Sequence, residues 1–186
     1  GCCNWITCNA ACSTIVGGSC NTTLTNHTVL GGCYNRAEGP GDTVFGFCNT
    51  STSAGKGQII VGFRNTSSGQ YNLIGGCNNN VEGTGGAAKS NPDWNVVVGC
   101  NNNVLMTPSS LMAGEDNTFD DIKNAAMWGT SNCIYSISSN ASMGGASNII
   151  TKTTNSSIIS GRLNSVSGSF DDGAGKGYCL NDNSAI

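Results

Sequence analysis

The segment NLIGGCNNNVEG, Asn72 to Gly83, decides the fold. It reads as a short apolar strand, a glycine bend, an Asn and a second short strand ending near Val81, with no 3.6-residue period. Gly, Asn and β-branched residues argue against a helix. The same order of residue types returns along the chain when it is aligned on the apolar residue two places before a recurrent glycine. That anchor column is Val16, Leu30, Phe45, Val61, Ile74, Val97, Met112, Met127, Met143 and Ile159, spaced 13 to 16 residues apart except for one gap of 23.

Two places on, the column is Gly in eight units, with Phe47 and Phe63 as exceptions. Five places on it holds Asn21, Asn35, Asn79, Asn102, Asn117, Asn132, Asn148 and Asn164, while Thr50 and Thr66 stand in the other two units just after Asn49 and Asn65. Seven places on, small residues (Thr23, Ala37, Thr52, Ser68) give way to apolar ones from Val81 onward. Columns held in phase over ten units predict an all-β parallel solenoid of about ten coils of 13–16 residues. Strands this short are not stable alone and must pair with the coils above and below. At about 4.8 Å per coil the rod is roughly 50 Å long. The apolar column fills the interior, glycine permits the bend, and stacked Asn side chains bond along the axis.

The expected organisation is a Cys-rich cap at 1–12, repeats over 13–168 with a long turn at 81–95, and a Gly-rich tail or cap at 169–186. A coil of about 15 residues is too thin to enclose a full core, so one face is expected to stay apolar and to need further copies of the chain.

Composition bounds the partners. Of 186 residues 27 are Gly and 10% are charged, with a net charge of −3. Eight scattered Lys and Arg make no basic stripe, which argues against nucleic acid. No apolar run approaches the roughly 20 residues of a membrane-spanning helix. Eleven cysteines point to an oxidising compartment, though the number is odd. Six glycosylation sequons, at Asn21, Asn26, Asn49, Asn65, Asn140 and Asn155, fit a secreted surface but are expected by chance in so Asn-, Ser- and Thr-rich a chain.

The segments STIVGGSCNT (Ser13 to Thr22), HTVLGGCYNRAEG (His27 to Gly39) and NLIGGCNNNVEG resemble the S-T-V-x-G-G-x-x-N-x-A-S-G repeats of phage and giant-virus fibres, and in style the head repeats of YadA-type trimeric autotransporter adhesins. The resemblance covers about Ser13 to Gly168. It implies a left-handed β-roll assembled as a homotrimer with an adhesive or structural role; the expected setting is a virion or cell surface and the expected partner a host-surface glycan or receptor. Such fibres often carry an endosialidase-type chaperone that cuts itself away, which makes Ile186 a candidate processed end. The cysteines depart from the resemblance.

Candidate chemistry is sparse. Cys33, Cys48, Cys77 and Cys100 all fall three places after the anchor. Cys33 with Cys48, and Cys77 with Cys100, would stand on adjacent coils within disulfide range, or would serve as small apolar filler; both readings stay open. Cys2, Cys3, Cys8 and Cys12 lack the paired spacing of a zinc site. His27 has no evident nucleophile beside it, and the adjacent carboxylates Asp120/Asp121 and Asp171/Asp172 point to opposite strand faces. Gly173 to Gly177 lacks the phosphate-loop spacing. The long turn, with Lys89, Asp93 and Trp94, is the expected binding loop. No cofactor, metal or catalytic residue is expected. The rival readings are a tailspike-like polysaccharide depolymerase, which needs convergent carboxylates, and an ice-binding solenoid, which needs regular Thr rows.

Overall fold

A computed structural model describes residues 1–52, 56–82, 94–105, 109–139, 141–151, 157–158, 160–167 and 178–180. All regular structure among them is β, arranged as a parallel solenoid. One sheet has ten strands and the other twelve, and strands alternate between the two along the chain as far as Ser165–Ser167, after which Tyr178–Leu180 joins the twelve-stranded sheet. Five-residue strands such as Val29–Cys33, Thr43–Phe47, Ile59–Phe63, Leu73–Cys77 and Val96–Cys100 dominate the ten-stranded sheet, although the longest strand, Cys133–Ser139, lies in the other. The twelve-stranded sheet otherwise takes mostly shorter ones, such as Thr22–Thr23 and Asn103–Leu105.

Three files of side chains fill the interior. On the ten-stranded sheet the register stacks Ile15, Leu30, Val44, Ile60, Ile74, Val97, Met112, Met127 and Met143, and Ile158 follows opposite Met143. From Leu30 to Met143 every member of that file is buried. On the facing sheet Thr23, Ala37, Ser51, Ser67, Val81, Val104, Phe119, Ile134, Ile150 and Val166 form the opposing file, all buried. The third file precedes each long strand and is polar in the middle: Thr28, Asp42, Gln58, Asn72, Asn95 and Ser110, then Ala125 and Ala141. Stacking like shapes keeps so thin a core dense.

The register corrects four anchor assignments. Phe45 pairs with Gly31 and Val61 with Phe45, so these two face outward and Val44 and Ile60 hold the interior positions. Val16 is the extra residue of a β-bulge between Ile15 and Gly17, and it is 67% exposed. Ile159 lies outside the described residues, and Ile158 takes the rung above Met143. Two adjacent apolar residues in VFG (44–46) and IVG (60–62) made either one eligible as anchor; strand alternation allows only one to point inward. With the shift, Gly46 and Gly62 complete the glycine column. Their φ values of 119° and 132° and the neighbouring carbonyl within 2.0 Å of an added Cβ leave no room for a side chain.

Strands continue into both ends. Residues 1–12 begin as a coil of the same kind as the rest: Trp5–Ile6 pairs in parallel with Thr22–Thr23. Tyr178–Leu180 runs antiparallel along Ser165–Ser167 and gives that strand a partner on its outer edge. The rest of 169–186, Ile186 included, lies outside the described residues.

Candidate functional site

The feature that organises every coil is an unbroken asparagine ladder. In each rung the backbone N–H and the Nδ2 of one Asn both donate to the Oδ1 of the Asn below. The ladder runs Asn4, Asn21, Asn35, Asn49, Asn65, Asn79, Asn102, Asn117, Asn132, Asn148 and Asn164. Nδ2 also reaches the carbonyl of the glycine in the coil above, as from Asn35 to Gly46 at 2.8 Å. The side chain thereby satisfies backbone carbonyls that the glycine bend takes out of the sheet ladder. Asn4, Asn49 and Asn65 were outside the column read from the sequence, and they complete it. Asn21, Asn49 and Asn65 are fully buried with their amides engaged, so these three sequons are closed in the folded chain. Asn26 is exposed, and Asn140 and Asn155 lie outside the described residues.

Just before each ladder Asn the chain turns through a left-handed residue. Cys3, Cys20, Tyr34, Cys48, Arg64, Asn78, Asn101, Asp116, Ser131, Ser147 and Leu163 all have φ between 52° and 59°. Most are not the Gly or Asn that tolerate this region, at roughly 1–2 kcal/mol each. From Cys20 onward the strain persists because each N–H bonds a carbonyl of the coil below, as from Tyr34 to Ser19 at 3.0 Å.

The cysteine column splits in two. Cys33, Cys77 and Cys100 share a file with Phe47, Phe63 and Glu115, whereas Cys48 sits one place later, in the left-handed file with Arg64. Cys33 is therefore opposite Phe47, and the expected neighbourhood of Cys33 and Cys48 on one file does not exist. The one-residue shift that moved Phe45 moved Cys48 with it. Cys77 and Cys100 are register partners joined by a disulfide, with Cα atoms 4.7 Å apart. Cys33 is half-buried, and the Ser19 hydroxyl beside it lowers its thiol pKa.

Aromatic side chains line two corners. Tyr34, Phe47 and Phe63 follow one another at 5.6 and 5.5 Å between ring centres, and the Arg64 guanidinium covers Phe63. Near the long turn, Tyr71 and Trp94 stack at 5.0 Å, both exposed. Of the three residues of the expected binding loop, Trp94 is on the surface, and Lys89 and Asp93 lie outside the described residues. His27 is exposed. Among the described residues no three His, Cys, Asp or Glu side chains converge as metal ligands.

The two sheets present opposite outer surfaces. The ten-stranded sheet turns Ile59, Val61, Leu73, Val98, Leu111 and Trp128 to solvent, each at least 43% exposed. Near its start, Val16, Gly17, Gly31 and Phe45 line an open groove of about 460 Å³. The corresponding outward file of the twelve-stranded sheet begins at Trp5, runs through Thr22, Arg36, Thr50, Thr66, Asn80, Asn103 and Thr118, and ends on Cys133, Ile149 and Ser165, so it is polar from Thr22 to Thr118 and exposes Trp5 and Ile149 toward its ends. Arg36 and the asparagines interrupt its threonines.

No protein-family model, no characterised relative and no solved structure matches this chain. Its surfaces and chemistry therefore carry the functional argument alone.

Proposed function

We propose that this chain is a non-enzymatic structural segment of a surface or virion fibre, assembled as a homotrimer through the outer face of its ten-stranded sheet. The observation that carries the reading is the asymmetry of the two outer surfaces. One is polar over its stretch from Thr22 to Thr118, and the other exposes Ile59, Val61, Leu73, Val98, Leu111 and Trp128 in one continuous sheet. Exposed apolar patches of that extent mark interaction sites.

Eight strands of five or six residues and two of two residues, at about 4.8 Å between strands and about 3.3 Å per residue, give a face of roughly 700 Å². That is close to the roughly 800 Å² per partner of a stable interface. Flat faces of this kind close on one another when three copies surround a common axis, the arrangement of the fibres whose repeats the sequence resembles. The polar sheet and the corners then face solvent, which puts Tyr71 and Trp94 where a host glycan would meet them. Stacked exposed rings offer sugar a flat apolar platform.

Native mass spectrometry and sedimentation test the assembly. A species of three times the 18.9 kDa of one chain is expected, resolved by Leu73→Ser with Leu111→Ser into folded smaller species. A wild-type chain that stays monomeric at tens of micromolar would overturn the reading. Attachment is tested on glycan arrays with Trp94→Ala as the comparison.

A further inference from the structure

The connections between ladder asparagines are not of equal length. Successive rungs are separated by 17, 14, 14, 16, 14, 23, 15, 15, 16 and 16 residues. The 23-residue connection is bracketed by Cys77 and Cys100, whose disulfide ties the coil below it to the coil above. Longer closed loops gain most from such a tie.

The second-longest connection, of 17 residues, is bracketed in the same way by Cys3 and Cys20. Both immediately precede ladder asparagines, Asn4 and Asn21, and both have φ of 56°. The coils are locked in register there: Cys20 N–H donates to the Cys2 carbonyl at 3.0 Å, Asn21 N–H to Asn4 Oδ1 at 3.0 Å, and Trp5 pairs with Thr22. Stacked coils about 4.8 Å apart put such residues within the range of Cα separations that a disulfide spans. The Cys2 thiol, and after it the Cys20 thiol, raises the pKa of the Cys3 thiol. Elsewhere in these two files a cysteine's axial neighbours are of other kinds: Cys33 lies between Ser19 and Phe47, and Cys48 between Tyr34 and Arg64.

We propose that Cys3 and Cys20 form a second axial disulfide, which fastens the first coil to the second as Cys77–Cys100 fastens the coils around the long excursion. The oxidant is a small-molecule disulfide of the glutathione class. One protein thiolate attacks it and releases one small thiol; the second protein thiolate attacks the resulting mixed disulfide and releases the other. Two protein S–H groups and one small S–S bond become one protein S–S bond and two small thiols, which keep both protons.

The test is oxidation of the purified full chain with oxidised glutathione, alkylation of the remaining thiols, chymotryptic digestion and fragmentation mass spectrometry. A peptide cleaved after Trp5 and linked through Cys3 to Cys20 is expected. Amide exchange at Trp5 and Thr7, which bond Asn21 and Thr23 of the next coil, is expected to be on the order of 10–100-fold faster in Cys20→Ser than in the oxidised wild type. A Cys2–Cys3 bond, a cross-link between copies, or Cys3 recovered alkylated while Cys77–Cys100 forms would each overturn the proposal.

Discussion

Asn49 Nδ2 donates to Asn35 Oδ1 at 3.0 Å, and its own Oδ1 accepts from Asn65 Nδ2 at 3.1 Å, so each amide is both roof and floor to its neighbours. The same Nδ2 contacts the carbonyls of Phe45 and Gly62 at 3.0 and 2.8 Å. Asn49→Asp would turn a buried donor facing three acceptors into a fourth acceptor. The expected loss is at least about 3 kcal/mol in chemical denaturation followed by circular dichroism. Thr50→Asp, one residue later and directed outward, is expected to change stability by less than about 1 kcal/mol. Equal effects at the two positions would contradict the ladder.

The interior of the coil that carries Ile59–Phe63 is tested at Ile60 and Val61. Ile60 is fully buried between Val44 and Ile74, and Val61 is 46% exposed. Ile60→Ala is expected to lose about 2–5 kcal/mol through lost transfer energy and a cavity that stacked neighbours cannot fill. Val61→Ala should lose less than about 1 kcal/mol in the monomer and act instead on self-association. Denaturant midpoints at concentrations above and below the assembly threshold separate the two effects.

Most of the fold was legible because one rule, like above like, operates on every coil. Leu30, Ile74, Val97 and the three methionines were placed correctly by periodicity alone. The misplacements came where the local alphabet was degenerate. In VFGF (44–47) and IVGF (60–63) two neighbouring residues are equally apolar, and hydrophobicity does not say which one points inward. The backbone does: Gly46 and Gly62 must take positive φ, and Asn49 and Asn65 must meet the ladder. Weighting the Gly–Asn pair above the apolar column would have recovered both coils, and Gly1–Asn4 as well. Val16 was beyond this reach because a bulge adds a residue without changing the pattern around it. The polar file of Asp42, Gln58 and Asn72 was invisible, since single buried polar residues before a strand look like turn residues.

The requirement for glycine differs sharply between the two columns that hold it. Gly62 has φ of 132°, and a Cβ there would sit 1.9 Å from the Gly76 carbonyl oxygen. Gly75 has nothing within 4 Å of an added Cβ. Gly62→Ala is expected to disrupt the stack at that coil, read as a loss of amide protection on both sides of it. Gly75→Ala should be neutral or stabilising by a few tenths of a kcal/mol, because it restricts the unfolded chain at no steric expense. Comparable loss of protection in both variants would remove the close-packed bend as the reason for the column.

Among the described residues, Asp42 is the one ionisable side chain of the fully buried polar group in the core. It accepts hydrogen bonds from the Ser51 hydroxyl and, at 2.9 Å, from the Gln58 amide, yet burial outweighs them and raises its carboxyl pKa above the usual carboxylate range. The folded chain therefore holds the proton more tightly than the unfolded chain, whose Asp titrates near pH 3.9. The stability it contributes is complete below that value and is lost as pH rises through the raised folded pKa. Two coils further on, Asn does the same structural work without a charge: Asn72 Oδ1 accepts from the Asn95 amide, and Asn95 Oδ1 from that of Ser110. Asp42→Asn is thus expected to be more stable than the wild type at pH 7, with the difference shrinking as pH falls toward 4. Denaturant unfolding across that range measures it. A variant less stable than wild type at pH 7, recovering at pH 4, would show that the ionised carboxylate is the form this core holds best.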